Sequence, residues 1–135
     1  MSGKASTQPI LRLSFQTANL PLMQLCRLTE VLTTVQTVLS GCQEWVVFSS
    51  GDQREPYTPA GYIIDDLRTL IGYEVDRIRE QAKGQVPIDR GEASAKFELL
   101  AMPHIDGIPA SPLEAIRQLA AVAADIEWEM QRAAT

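Results

Sequence analysis

The longest regular pattern of apolar residues in the chain lies between residues 20 and 48. Apolar residues recur there every three or four positions, the spacing that places side chains on one face of a helix. They are Leu25, Leu28, Leu32, Val35, Leu39, Cys42 and Val46. Val31, Val38 and Trp45 recur every seven residues beside this seam and widen it. The pattern predicts a long first helix that is apolar over much of its circumference.

This first helix is poor in charge for a helix that faces water. Only three residues between positions 20 and 48 are charged: Arg27, Glu30 and Glu44. We therefore expect neighbours on most of its sides, as in an oligomer. Two ends are compatible with the pattern. Gly41 favours a stop followed by a short strand over residues 45–48, whereas the seam that continues to Val46 favours one longer helix, which we take as the prediction.

A second helix is predicted to start at Thr58 and Pro59, because the threonine hydroxyl can cap the first turn and proline suits its first position. Its apolar stripe contains Ile64, Leu67, Ile71, Val75, Ile78 and Ala82. Three i,i+3 ion pairs are expected on the wet side: Asp65 with Arg68, Glu74 with Arg77, and Asp76 with Arg79. Gly72 costs a helix about 1 kcal/mol relative to alanine, and we take the close approach of another helix as its reason.

The last predicted helix begins at Ser111, where Ser-Pro-Leu-Glu has the pattern of a capping box. One apolar face of this helix contains Ile116, Leu119, Ala123, Ile126 and Met130. A second face, on another side, contains Ala121, Ala124 and Trp128. Small alanines allow a partner backbone to come close, and tryptophan is a frequent interface anchor. Two apolar faces on one helix therefore predict two partners for it.

The remaining segments carry weaker patterns. Residues 91–102 predict a short helix, although the part from 96 to 102 suits a strand equally well, and residues 103–109 predict a loop. Residues 11–16 alternate between apolar and polar, which is typical of a short strand, and Asn19 is the expected cap of the first helix. The sequence thus predicts an all-α fold: a bundle of three to four helices with a short N-terminal β-strand or arm, in a single domain over residues 10–135 after a flexible tail over 1–9.

Composition narrows the class of protein. Apolar residues make up 45% of the 135 positions, which excludes a disordered chain and suits one domain. No apolar run is long enough for a membrane-spanning helix, and the N-terminus lacks the apolar core of a secretion signal. Cys26 and Cys42 are too few for a disulfide framework. We expect a cytoplasmic protein, with no membrane contact, in which both cysteines are reduced and buried as small hydrophobes.

Residues that carry chemistry are scarce. His104 is the only histidine and is expected in a loop. Both cysteines fall on the apolar pattern, where a thiol is usually inert. One histidine and two distant cysteines do not make a metal-binding set, and the sequence contains no glycine-rich phosphate loop. We therefore predict no metal, no cofactor and no enzymatic activity.

Nucleic acid is a weak candidate partner, because the net charge is −5 and nucleic-acid binding depends on cationic contacts. The N-terminal pattern offers one alternative. A strand over residues 11–16 followed by two helices resembles, in outline, the ribbon-helix-helix DNA-binding proteins. The resemblance implies a dimer whose strands enter the major groove, with Arg12, Ser14 and Gln16 reading bases. The connection over residues 41–57 is longer than that family has. The other interpretation is that the apolar residues of this strand cover the bundle.

These observations favour a non-enzymatic protein–protein interaction module, a regulator, adaptor or inhibitor, that forms a homodimer and binds another protein. The predicted interface residues are Val31, Val38, Trp45, Ala121, Ala124 and Trp128. One alternative is the DNA-binding transcriptional regulator. Another is an acidic inhibitor that occupies a basic surface of a nucleic-acid-handling protein. The contact set of such an inhibitor would be the acids of the second helix together with Asp125, Glu127 and Glu129.

Overall fold

A computed structural model of the chain describes residues 15–106 and 111–135. It contains four helices: α1 (Leu22–Cys42), α2 (Pro59–Lys83), α3 (Arg90–Asp106) and α4 (Pro112–Ala134). No described residue belongs to a β-strand, and an isolated antiparallel bridge joins Ser49 to Tyr57. The predicted all-α class is confirmed for the described part of the chain. Within that part, no helix combines the length and the apolarity that a membrane crossing requires.

The predicted N-terminal strand and the predicted tail over 1–9 lie largely outside the described residues. Phe15 and Gln16, the described end of the strand, form no strand. This end is bound to α2 instead: the Phe15 N–H donates to Glu74 Oε1 (3.5 Å), and Arg77 Nη2 donates to the Phe15 carbonyl (3.3 Å). Glu74 is buried beneath this segment, so its predicted place on the wet side is wrong, although its ion pair with Arg77 (2.8 Å) is confirmed.

The main core lies between α1, α2 and α3. Buried apolar side chains from these three helices form one cluster: Leu22, Leu25, Cys26, Leu32, Ile71, Val75, Ile78, Ala82, Ala95 and Leu99. No residue of α4 belongs to this cluster. Of the other described helices, only α3 lies against α4. The fold is therefore a three-helix body with a fourth helix attached to one of its members.

The face that α1 turns toward the core contains much of the predicted seam, because Leu25 and Leu32 are buried and Leu28 and Leu39 pack against the core. The seam residue Val35 is exposed, whereas Gln43 is buried. The amide Nε2 of Gln36 donates to the Arg68 carbonyl of α2 (3.2 Å), and that of Gln43 donates to the Gly61 carbonyl (3.4 Å). These hydrogen bonds satisfy polar groups at the α1–α2 contact.

Gly72 of α2 faces Gln36 of α1. A Cβ atom at this position would be 3.0 Å from Nε2 of Gln36, the end of a long side chain, and no backbone atom of α1 would lie within 4 Å of it. A side chain at position 72 would therefore require the glutamine amide to shift. The close approach of another helix that this glycine predicts stays a prediction.

Helix α1 ends at Cys42, so the prediction of a longer helix is wrong, and residues 45–48 form turns rather than a strand. The start of α2 explains this ending. The Thr58 N–H donates to the Phe48 carbonyl (3.0 Å), and the Thr58 hydroxyl donates to the Val47 carbonyl (2.8 Å). A side chain on Gly61 would collide with the same Phe48 carbonyl. The segment after α1 thus folds back onto the first turn of α2.

The start signals of two helices are confirmed and that of a third is wrong. Thr58 accepts a hydrogen bond from the Gly61 N–H (3.3 Å), and Ser111 accepts one from the Glu114 N–H (3.1 Å). The N-cap of α1 is Pro21 without a side-chain hydrogen bond, so Asn19 is not the cap. The two confirmed caps are those in which a hydroxyl precedes a proline at the first helical position.

Helix α3 runs through Pro103 to Asp106, so residues 96–102 are helical and the predicted loop starts too early. A proline inside a helix deprives the carbonyl four residues earlier, here Leu99, of its usual N–H donor. Arg79 of α2 replaces that donor, because its Nε donates to the Leu99 carbonyl (3.3 Å). A neighbouring helix thus completes the hydrogen bonding that the proline removes.

Lys96 links α4 to the rest of the molecule. Its side chain is 1% exposed. Its Nζ donates to the carbonyls of Lys83 (3.1 Å) and Gln85 (2.7 Å) and to Oε2 of Glu129 (2.7 Å). All three donors of the ammonium group therefore have acceptors. One residue of α3 thus joins the end of α2, the loop that follows it and α4.

We expect Glu129→Ala to lower the free energy of unfolding by about 2–3 kcal/mol, because it leaves a buried ammonium group without its counter-charge. Glu127→Ala is the matched control, since the exposed ion pair of Glu127 with Arg90 should contribute less than about 1 kcal/mol. Urea denaturation of both variants measures the difference. Equal losses in the two variants would show that the buried ammonium does not hold α4.

We also expect Arg79→Met to destabilise the protein by about 1–2 kcal/mol, because the Leu99 carbonyl then loses its donor. The loss should shrink in a Pro103→Ala background, where residue 103 regains an N–H for that carbonyl. A double-mutant cycle by thermal or urea denaturation measures the coupling. If the stability changes of the two substitutions simply add, Arg79 does not replace the donor that Pro103 removes.

Candidate interaction surfaces

More large apolar side chains lie on the surface of the described residues than in their interior. Eighteen are exposed, whereas eight are buried: Leu22, Leu25, Leu32, Ile71, Val75, Ile78, Leu99 and Ile126. Single exposed apolar residues are normal in a monomer, but contiguous patches mark sites of interaction. Some of the exposed apolar residues cluster on two helix faces, one on α1 and one on α4.

The α4 outer face consists of the outward-pointing apolar residues of that helix: Leu113, Ile116, Ala120, Ala121, Ala124 and Trp128. All six are exposed, with Ile116 at 62% and Trp128 at 60%. On the opposite side, Ile126 is the one buried residue of α4. The spacing of three and four residues places the six along one side of the helix. Most of α4 therefore faces solvent along an apolar strip.

The α1 outer face consists of Val31, Val35 and Val38, with Trp45 in the turn that follows the helix. Val31 and Val38 are 59% and 58% exposed, and Trp45 is 59% exposed. The Trp45 ring stacks on Phe48, with ring centroids 5.9 Å apart. Since α4 does not contact α1, the α1 and α4 outer faces are separate surfaces.

All six predicted interface residues thus lie on the surface. Val31, Val38 and Trp45 belong to the α1 face, and Ala121, Ala124 and Trp128 belong to the α4 face. Their role in binding stays a prediction. The sequence pattern missed Val35, Leu113 and Ile116, because Val35 and Ile116 lie on stripes that were assigned to the core and Leu113 belongs to the capping box. Only knowledge of which helices touch each other separates these exposed residues from the core.

The residues of the DNA-binding alternative are described only in part. Gln16 is exposed. Arg12 and Ser14 lie outside the described residues. Gln16 is followed by Thr17, which is buried against Gln81 and Arg77 of α2. The backbone at this point is thus anchored to α2 rather than paired with another strand.

A cleft of about 580 Å³ separates α2 from α4. If several polar side chains converged in this cleft, they would indicate an enzyme active site. Most of its charged groups are engaged with each other: Asp76 with Arg79, Glu80 with Lys83, and Glu129 with Lys96. Contrary to the prediction of a loop, His104 lies on the last turn of α3, where Nδ1 is 2.9 Å from Oε1 of Gln118. The cleft therefore presents paired charges and no nucleophile next to its histidine.

The acidic residues proposed for an inhibitor surface are largely paired as well. Glu127 forms an ion pair with Arg90, and Glu129 forms one with Lys96. Asp125 is exposed and forms no hydrogen bond or ion pair with the described residues. The continuous run of negative charge that a basic partner would need is thus interrupted at two of three positions.

Cys26 is buried as predicted and Cys42 is half-buried; both are free thiols. The Cys26 Sγ donates to Oε2 of Glu98 (3.4 Å), and burial, then this hydrogen bond, raises the pKa of Cys26 to about 11. The ligand atoms of Cys26, Glu30 and Glu98 lie within 4.8 Å of one another. Arg27 pairs with both carboxylates, at 2.6 Å from Glu30 and 3.7 Å from Glu98. The arginine therefore already supplies the positive charge that a metal ion would bring.

Comparisons of the chain with protein-family models, with curated proteins and with solved structures each returned no match. The function has to be argued from the surfaces themselves.

In the native protein, we expect Cys26 to react with iodoacetamide far more slowly than Cys42. The thiolate is the reactive form, and a pKa of about 11 keeps Cys26 protonated near neutral pH. Its labelling rate, followed by mass spectrometry, should rise with pH up to that value. Glu98→Gln removes the negative charge beside the thiol and should speed the labelling of Cys26 but not of Cys42. Equal rates for the two cysteines at neutral pH would contradict this assignment.

Proposed function

We propose that the protein is a non-enzymatic helical interaction module, a regulator, adaptor or inhibitor, that binds another protein and a second copy of itself in the cytoplasm. The observation that carries this proposal is the exposure of the α1 and α4 outer faces on a body whose own core is small. Burying apolar area contributes roughly 25 cal/mol per Å². A partner that buries either face would therefore gain favourable free energy of binding.

The polar groups support contact-making over catalysis. Most of the charged residues of the cleft between α2 and α4 form ion pairs, and the Cys26 thiol is held in its protonated form by burial and by Glu98. A catalytic site keeps groups free to exchange protons or attack a substrate. Free thiols at Cys26 and Cys42 suit the reducing cytoplasm.

The form of the partner follows from the chemistry of the faces. The α1 outer face contains valine and tryptophan side chains and no charged residue among its members. A basic groove or a nucleic-acid backbone would find no counter-charge there. We infer a protein partner with an apolar patch for the α1 face. The acidic-inhibitor alternative would use Asp125 and its neighbours, of which two are already paired.

A photo-crosslinking residue at Val38 tests the α1 face in the native host. We expect it to trap one discrete protein, because this face is apolar and exposed. The same residue at Thr37, which is exposed on another side of the same helix, is the matched control and should trap none. Val31→Asp in the Val38 probe chain should abolish the crosslink while changing stability by less than about 0.5 kcal/mol, as is usual for surface sites.

Two outcomes would contradict the proposal. A crosslink pattern that is the same from positions 37 and 38 would indicate random collisions. A crosslink at Val38 that survives Val31→Asp would show that the apolar face is not what the partner recognises.

A further inference from the structure

The geometry points to an antiparallel pairing of α4 with α4 of a second copy, along the α4 outer face. This inference rests on the proposed function and names the partner of one of its two surfaces. The face has large side chains toward its ends, Ile116 and Trp128, and small ones, Ala120 and Ala124, between them. Small residues in the middle of a helix face allow two helix backbones to approach closely.

When two copies are related by a two-fold axis, the same face of each copy forms the interface, and each contact between different residues occurs twice. The register that puts Ala120 opposite Ala124 of the second copy is symmetric about residue 122. It also sets Ile116 level with Trp128 of the second copy, and Leu113 level with Gln131. Small residues thus meet small ones at the centre, and the largest side chains cover the gaps on either side.

Charge favours this same register. Arg117 lies on the same side of α4 as the α4 outer face, four residues from both Leu113 and Ala121. It is exposed and forms no hydrogen bond or ion pair with the described residues. In the register above it stands level with Glu127 of the second copy. Glu127 is only half-exposed and carries one ion pair, with Arg90. A carboxylate can accept from two arginines, so pairing would give Arg117 the counter-charge that its own chain does not supply.

The size of the contact predicts a weak dimer. Helix α4 has 23 residues, which makes it about 35 Å long and gives a contact strip on the order of 350 Å² per copy. A standard stable interface buries roughly 800 Å² per partner. Self-association through α4 alone should therefore appear at micromolar rather than nanomolar concentration.

Sedimentation of the full chain over a wide concentration range tests the pairing. We expect a monomer–dimer equilibrium whose dissociation constant rises roughly tenfold or more in Trp128→Glu, because the aromatic anchor of the contact is lost. Val38→Glu on the α1 outer face is the matched control, with the same charge placed at a similarly exposed site, and should leave the equilibrium unchanged. Circular dichroism and thermal melting should be the same in all three proteins when they are compared at concentrations at which the wild type is monomeric.

Cysteine crosslinking tests the register. In a Cys26→Ala, Cys42→Ser background, Ala120→Cys and Ala124→Cys are made as separate variants. Facing positions would have Cα atoms about 5 Å apart, whereas each position is about 8 Å from its own copy, beyond the reach of a disulfide. Oxidation of an equal mixture should therefore give mainly the mixed disulfide, with little product from either variant alone.

A chain that sediments as a monomer at every concentration would overturn this inference, as would a dimer that Val38→Glu disrupts and Trp128→Glu does not. Efficient disulfide formation by either single variant alone would overturn the register. A monomer at every concentration would also remove self-association from the proposed function. The binding of another protein through the α1 outer face would not be affected, because crosslinking from Val38 tests it on a different surface.

Discussion

The Lys96 ammonium group lies where α2, α3 and α4 meet, away from water that could replace a lost partner. It has three N–H donors and three acceptors, and two of these are backbone carbonyls, one at the end of α2 and one in the loop that follows it. Glu129, the third, belongs to α4, whose only buried residue is Ile126. A buried charge is tolerated when it is fully paired and hydrogen-bonded. This polar junction therefore helps to fix the position of α4, and hence of its exposed face.

Polar side chains also form hydrogen bonds to the backbone at the other helix contacts. Arg79 supplies a donor to the carbonyl that Pro103 leaves without one, and Gln43 supplies a donor to the backbone of α2. Without Arg79 the Leu99 carbonyl would lack a donor, and without α2 the buried Gln43 amide would lack its acceptors. A buried polar group without a partner costs about 1–3 kcal/mol. Gln36 and Gln43 thus lie on the inner side of α1 together with its buried leucines. The valines of the α1 outer face lie on the surface.

The α1 and α4 outer faces differ in how the helix that carries each of them is supported by the rest of the molecule. The α1 face belongs to the three-helix body, so a partner there would bind a rigid element. The α4 face belongs to a helix that only α3 supports. A second copy on that face would support α4 as well as bind it. Self-association and stability of this helix would then be linked, as for any partner that binds the folded state.

Sequence by itself determined the all-α class, the existence of the helices, much of the inner face of α1 and the starts at Thr58 and Ser111, because periodicity and caps act locally. It also identified two apolar faces on the last helix. It did not determine that Gln43 would be buried, where α1 would end, or that α3 would continue through Pro103. Those features depend on hydrogen-bond partners such as Arg79 and Gln43, which are distant in the chain and meet their acceptors only when the helices pack. Tertiary structure alone decided which apolar residues are core and which are surface.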